Sequence, residues 1–416
     1  DILPGSCVGG SVSYSLGQFQ GSMSYAVACA NRSMKAVGAH VDTSLLGEAR
    51  DPQSTSEGAG VGYNIMATPE RSGQAGSTAW KLTEASRGQG SIRVFTLFNT
   101  TQYTRKEPVE ITLWDWKIDL DRTALCDGTG KERSFDRLEE DQSYWQHSFH
   151  KLLFMAEVPP FGYANYYFYE KETPPVPHRT DEPRVHRMED GCCVLENQKV
   201  KAVFATDSMK LTAFIDKEQK LDLLGGKPSG YFRYIREEDT GDYSAWMVGG
   251  YRKMEDLNES CRIQIVEQKS GALRQWITYR LAFRHPSLEV KVILDEGSDM
   301  LRYCVRTDWH ETGSREEGSP QLQFYVPFGY ASEWTRYDVS GGVIDRKPAG
   351  HDVPAIGFAA PVPLRGQKGL MVTSDCKYGY RTEKGALTIN LLRASHNPDP
   401  YPDQGRHLWE LGLGIC

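Results

Sequence analysis

The run Lys377-Tyr378-Gly379-Tyr380 is the part of this sequence best suited to holding a ligand: an ammonium donor and two phenols set around a glycine. Glycine lets a backbone turn tightly, so the spacing predicts two Tyr rings and a Lys donor presented towards a cleft. Aromatic faces stack on sugar rings, and a phenol adds a hydroxyl that can bind one. The same residues could instead pack a turn between two strands. Trp246, in the run Asp242-Tyr243-Ser244-Ala245-Trp246, and Tyr251 divide in the same way between platform and packing. Trp114-Asp115-Trp116 reads as strand packing, with one indole face able to serve as a second platform.

Metal chemistry finds less support. His147 and His150 stand at i and i+3 and would suit a metal on a helix, but no nearby carboxylate completes a ligand set. They are read as surface histidines between aromatics. His351-Asp352 lies in a loop, PAGHDVPAIG, where the pairing is read as chance. Arg302, Arg306, Asp308 and Glu311 make a charge-dense strand, which a salt-bridge ladder on a sheet face explains without a ligand. None of the nine cysteines falls in a C-x-x-C spacing. Free buried thiols in a reducing cytoplasm are expected.

The elements that must position these residues are mostly strands. From Val12 the apolar positions run Val12, Leu16, Phe19, Met23, Ala26, Ala30, Met34, Val37 and Val41. Alternating steps of four and three predict one helix of about thirty residues with a heptad-like stripe, capped by Ser11 or Ser13. Such a stripe must be buried against other helices. Nothing later in the sequence supplies them, so the partners are expected upstream or in another chain. Residues 51–89 read as loops or short edge strands. Alternation then begins at Ile92 and continues through Val109-Ile111-Leu113, Phe149 to Val158 and Tyr163 to Tyr169. Lys171 to Arg187, with PPVPH at its centre, reads as a linker. Beyond it, strands recur at Cys193–Asn197, Val200–Ala205, Leu211–Asp216, Ile263–Gln268, Gln275–Arg284, Leu288–Glu296 and Arg302–Trp309. That rhythm is the mark of an antiparallel sandwich. In the run Gln321 to Phe328, Leu322, Phe324, Val326 and Phe328 form the buried side and Gln323, Tyr325 and Pro327 the other.

A chain of 416 residues, 39% hydrophobic, can fill more than one core. The domains are placed at 1–48 (a helical segment from a bundle), 49–182 (a small β-sandwich) and 183–416 (a large super-sandwich). The fold class is mainly β. A formal charge of −7 argues against nucleic acid or an anionic membrane as partner. No apolar run approaches the ~18 residues of a membrane span, and a soluble protein is expected.

The ordered series VPFG, DCKYGY, LLR and DQG-x-H between Gln321 and His407 resembles the carboxy-terminal β-region of glycoside hydrolase family 38 α-mannosidases. Other segments match in family order. Asp1 to Ser6 resembles the H-D-x-x-x-G-S segment, here starting at the Asp. Phe98-Asn99-Thr100-Thr101 with Arg105 to Val109 resembles the FNP…R-x-x-VEV strand. Pro159 to Tyr163, Leu195-Glu196-Asn197 with Ile215-Asp216-Lys217, Asp242 to Trp246, and Arg306-x-Asp308-Trp309-x-Glu311 resemble further family segments. Met247 replaces the Asp common in the family's DAWD, and GGVIDRKPAGHD departs from its RPT loop.

The resemblance implies a large sandwich of the galactose mutarotase type. It also implies a retaining, zinc-dependent hydrolase of α-mannosides, in which an Asp nucleophile and a second carboxylic acid act on the substrate. No catalytic or metal-ligating residue of that set matches a position in this chain, so zinc and nucleophile are expected in an upstream catalytic half, and the chain is expected to be inactive alone. The resemblance further implies that Asp1 sits beside the zinc and binds sugar hydroxyls. Asp1, Trp246, Lys377, Tyr378 and Tyr380 are the expected substrate-binding residues. The expected partners are a mannose-containing glycan and the upstream half, with a homo-oligomer open, in a cytoplasmic setting. Two other readings stand beside this one: a non-catalytic carbohydrate-binding sandwich, and an epimerase-like enzyme with a buried His–Glu pair.

Overall fold

A computed structural model describes residues 9–41, 85–86, 92–144, 147–172, 186–187, 191–283, 287–364 and 366–416. The described residues fall into two compact units. One is drawn from Asp1–Gln18, Pro183–Ser270 and Gln275–Cys416, the other from Phe19–Glu182 and Gly271–Arg274. The expected linker and most of residues 51–89 lie outside the described residues.

The expected helix spans Gly9–Gly38. It begins before Ser11 and Ser13, so both stand inside it and neither caps it. Its stripe stays open: Val12, Leu16, Phe19, Met23 and Val37 are all exposed. No helix among the described residues is long and apolar enough to cross a membrane.

The smaller unit holds two four-stranded sheets. In one, Arg105–Trp114 lies between Ala85–Ser86 and His147–Val158, and Phe135–Tyr144 closes the other edge. In the other, Tyr163–Glu170 lies between Ile92–Phe98 and Thr123–Asp127. Alternation does the folding here. Ile111 and Leu113 point inward from one sheet, and Phe95, Tyr166 and Phe168 from the other, into a single core. The backbone of His147 and His150 belongs to one strand, not to a helix. His150 is buried at 6% exposure, not a surface histidine as the sequence suggests, and the His147 side chain lies outside the described ones.

The larger unit holds sheets of five, six and nine strands. The strands expected from sequence appear as Cys192–Glu196, Val200–Ala205, Leu211–Asp216, Arg262–Ser270, Arg274–Ala282, Ser287–Asp295 and Met300–Trp309. The six-stranded sheet runs Tyr251–Asp256, Tyr231–Glu237, Pro320–Pro327, Ala386–Arg393, Gly379–Glu383, Val353–Pro354, antiparallel throughout. One face packs on the nine-stranded sheet: Phe324 meets Tyr303 at 5.0 Å, and Tyr380 meets Tyr337 at 6.4 Å. Leu322, Phe324 and Val326 join Phe232, Tyr234 and Ile389 in that core. The architecture is mainly β, a layered antiparallel sandwich preceded by one long helix.

No disulfide occurs among the described cysteines, and Cys192 and Cys193 both stay reduced. The charged strand Met300–Trp309 is indeed a ladder to neighbouring strands. Arg302 pairs with Asp295 at 2.9 Å and Glu410 at 3.8 Å, and Arg306 with Glu289 at 3.8 Å. Glu311 lies beyond the end of that strand and pairs with Arg236 at 3.4 Å. It is buried and accepts the Tyr234 hydroxyl at 2.6 Å.

Candidate functional site

Residues of opposite parity to the core positions make the other face of the six-stranded sheet, and that face is polar. Gln321 and Gln323 come from one strand, Glu237 from its neighbour on one side, and Asn390 and Arg393 from the neighbour on the other. Arg381 and Tyr251 follow on the flanking strands, and Asp352 precedes the last one.

These side chains form one continuous network. Arg393 grips Glu237 with two bonds, Nε to Oε1 at 2.7 Å and Nη2 to Oε2 at 2.8 Å. Gln321 donates to Glu237 Oε1 at 2.6 Å, and the Gly249 amide donates to Oε2 at 3.0 Å. Gln323 donates to Gln321 Oε1 at 2.6 Å and to Asn390 Oδ1 at 2.9 Å, and lies 2.7 Å from the Tyr251 hydroxyl. Asn390 then donates to Asp352 Oδ2, and Arg381 to Asp352 Oδ1, both at 2.7 Å. The Arg381 guanidinium also lies 4.0 Å from the centre of the Tyr251 ring. Glu237, with four donors, and Asp352, with two, have no carboxylate oxygen left unengaged. A carboxylate held this way orients its neighbours and is poorly placed to move a proton.

Trp246 reaches the rim of this floor on a closed loop. The Glu238 amide donates to Gly250 O at 2.7 Å, so the loop's two ends meet. Gly249 is required there, because a Cβ would run into the Glu238 carbonyl. Arg393 ties the loop down from below, donating to Ser244 O at 2.6 Å and Met247 O at 2.8 Å. A second loop staples it from the side: buried Ser244 takes the amides of His396 and Asn397 at 3.2 and 2.9 Å. His396 also holds Asp239 at 2.8 Å, and that bond keeps the Asp239 carboxyl below its usual range. At the tip, Trp246 and Tyr243 are 40% and 59% exposed with ring centres 6.2 Å apart.

The Lys377-to-Tyr380 turn lies at another border of the floor. Gly379 pairs with Asn390, whose side chain fills the space that a Cβ would take. Tyr378 is exposed. Tyr380 is not: it is fully buried against Tyr337, and its hydroxyl has no partner among the described residues. The expectation of a Tyr380 facing a cleft is therefore corrected. Strand parity from Gly379 onwards turns it into the core. The indoles of Trp114 and Trp116 are buried too, which removes them as platforms. The sequence gives His351-Asp352 no role beyond a chance pairing, yet Asp352 is a member of the floor. Asp1 lies outside the described residues.

Lys377 is half-buried, with its ammonium 4.9 Å from the Trp409 ring and no ion pair or side-chain hydrogen bond among the described residues. Burial pushes its pKa down despite Cys376, Asp403 and Asp375 nearby. Burial likewise lowers that of His407, and the Lys377 ammonium adds to the effect. An amine held below its unfolded value of 10.5 costs the fold most when both states are charged. The penalty is therefore full near neutral pH and fades as pH rises towards 10.5. Lys377→Met is expected to unfold at higher temperature than the parent at pH 7, with the gain shrinking by pH 10 as read by thermal melts. An unchanged melting temperature at both pH values would contradict the desolvated amine.

Trp246, Lys377 and Tyr378, singled out by the sequence, border a floor that the sequence reading did not contain. The signal was present in the polar half of the alternation: Gln321 and Gln323 are large polar residues where an exposed strand face would tolerate anything. The described residues contain no group of three or more His, Cys, Asp or Glu able to hold a metal ion. The zinc that the resemblance implies thus finds no ligand set among them. Of His–carboxylate pairs, His396–Asp239 lies at the rim of the floor.

Comparison with known proteins bears on what this face belongs to. The sequence profile of the glycosyl hydrolases family 38 C-terminal domain matches residues 195–401, which contain every residue of the floor. Alpha-mannosidase 2C1 of Homo sapiens is 29% identical over 136 residues, covering 30% of this chain and 12% of its own length. Alpha-mannosidase G of Dictyostelium discoideum is 22% identical over 240 residues, covering 52% of this chain and 20% of its own. The chain thus spans about an eighth to a fifth of the curated relatives it matches. The crystal structure of an alpha-mannosidase from Enterococcus faecalis V583 shares the fold, with a TM-score of 0.59 at 13% identity, over 80% of this chain and 44% of that one. On the family match and the shared fold, this chain is placed among the family 38 glycosyl hydrolases, as a portion that carries their C-terminal domain.

Proposed function

We propose that this chain is the carboxy-terminal part of a retaining, zinc-dependent α-mannosidase that hydrolyses α-mannosides in glycans. In this reading it is inactive without a catalytic half that supplies the zinc ligands, the nucleophile and the acid. The observation that carries the reading is the polar floor inside the family-matched segment, bordered by exposed aromatics. Trp246 and Tyr378 offer faces to sugar rings and Lys377 offers a donor, while Asp1 is assigned to sugar hydroxyls beside the zinc. Retaining glycosidases need a free carboxylate and a carboxylic acid about 5–5.5 Å apart. Glu237 and Asp352 are both fully engaged, which supports recognition here and bond cleavage elsewhere. The exposed stripe of the Gly9–Gly38 helix supports a docking partner made of helices from the catalytic half. The lack of a disulfide among the described cysteines supports a cytoplasmic setting, and assembly into a homo-oligomer is compatible with this reading.

The alternative of a non-catalytic carbohydrate-binding module rests on the same aromatics. One experiment separates the two. Hydrolysis of 4-nitrophenyl α-mannoside is measured with zinc for the chain alone and for the chain recombined with its catalytic half. Activity in the recombined sample alone is the expected result. Turnover by the chain alone would overturn the division of labour. Mannoside binding without turnover in either sample would favour the module.

A further inference from the structure

The smaller unit contains a cavity for which the proposed function has no use. Its volume is about 380 Å³, and Trp116, Lys117, Asp119, Glu140, Asp141 and His150 are among the residues that line it. That is the lower end of the range for small-molecule sites, roughly 300–1,000 Å³.

The cavity is built on irregular backbone. The strand Phe135–Tyr144 slips register against His147–Val158 twice, at Arg137/Glu139 and at Glu139/Gln142. Bulges of this kind re-aim side chains. Asp141, inside the second slip, has φ +50°, as does Asp115 immediately before Trp116. Aspartate tolerates that conformation better than most residues, because its short polar side chain can bond the local backbone. Asp115 is pinned by its amide to Ser148 O at 2.8 Å and by the Ser148 amide to its Oδ1 at 3.2 Å.

The turn at Asp141 has a chemical consequence. Its amide donates to His150 Nδ1 at 3.2 Å. A ring nitrogen that accepts carries no hydrogen, so in the neutral imidazole the hydrogen sits on Nε2. No described residue accepts it, although His150 is only 6% exposed. His150 lines the cavity, so that hydrogen is offered to what fills it.

The lining decides what that acceptor is. A protonated Nε2 cannot ligate a metal. An ammonium brings only donors, which His150 cannot use. A phosphate or carboxylate brings only acceptors, and meets three carboxylates (Asp119, Glu140, Asp141) against the single amine of Lys117. Hydroxyl groups do both, accepting from His150 and donating to the carboxylates.

We propose that this cavity is a second binding site, for a neutral polyhydroxylated ligand the size of a single sugar residue. His150 Nε2 donates to one hydroxyl, and Glu140 and Asp141 accept from others. The site belongs to the smaller unit and owes nothing to the polar floor of the larger one.

The test uses the full chain and methyl α-mannopyranoside, with myo-inositol as a second neutral probe. Binding is read by saturation-transfer NMR and by the ring nitrogen resonances of His150. The expected result is a shift of the His150 Nε2 signal on addition of either polyol. His150→Asn is the deciding variant, because its Oδ1 can replace Nδ1 as acceptor for the Asp141 amide while the Nε2 donor disappears. It is expected to weaken binding at this site about tenfold with its melting temperature retained. Should that variant fold poorly, Glu140→Gln on the exposed rim serves in its place, with a smaller loss. Trp246→Ala, in the larger unit, should leave the His150 shift intact, which separates this site from the floor. A His150 signal unmoved by both polyols, or moved only by glycine or inorganic phosphate, would overturn the proposal. So would polyol binding of unchanged affinity in His150→Asn.

Discussion

Replacing Arg393 with Met is expected to cost about 3–5 kcal/mol of folding stability, read as a lower urea midpoint. The reason lies with the partner left behind. Glu237 has no exposed surface, and two of its four donors come from Arg393. Without them the carboxylate stays buried with only Gln321 and the Gly249 amide. The same guanidinium holds the Trp246 loop through Ser244 O and Met247 O, so the loop should loosen as well. Hydrogen exchange at residues 241–249 should rise in step. The double variant Glu237→Leu with Arg393→Met removes both charges and is expected to recover much of the loss, since a buried pair is costly chiefly when broken. A single-variant cost below about 1 kcal/mol, the scale of an exposed pair, would mean that Glu237 is not shielded from water. Because mannoside recognition is assigned to this floor, the recombined enzyme carrying Arg393→Met should also bind its substrate more weakly.

Phe324→Ala is expected to be as damaging for a different reason. Phe324 is fully buried between Phe232 at 5.4 Å and Tyr303 at 5.0 Å, where the six- and nine-stranded sheets meet. Truncating a buried Phe typically costs 3–5 kcal/mol, about half from lost transfer energy and the rest from the cavity. The next residue gives the control. Tyr325 points to the other face, with the Arg233 guanidinium stacked 3.3 Å from its ring centre. Tyr325→Ala loses that contact but opens no hole between sheets, so its cost should be less than half as large by urea unfolding. Equal costs would mean that the two faces of this strand are not distinct in burial.

These two variants mark a division in what the sequence makes legible. Phe324 could be chosen from the alternation of Gln321 to Phe328, because a strand's period of two assigns each side chain to a face. The same logic located seven strands of the larger unit almost to the residue, and the 3.6-residue period located the Gly9–Gly38 helix. The helix start was missed because Ser11 and Ser13 look like caps locally, while the helix begins at Gly9. Local chemistry also misread Tyr380. A glycine between two tyrosines suggested two presented rings, but a strand beginning at that glycine sends the second ring inward.

The sequence by itself determined the class of the fold, the family resemblance, and which residues of each strand are apolar and must face a core. Those follow from local periodicity and motif order, which need no knowledge of neighbours in space. Only the tertiary structure decided that Glu237 meets Arg393 across 156 positions of chain, that Asp352 joins the floor, and that His150 is buried beside the left-handed turn at Asp141. Such contacts depend on strand order and register. A shift of one residue in either strand would put each of these side chains on the opposite face, and no local pattern encodes which strand becomes whose neighbour.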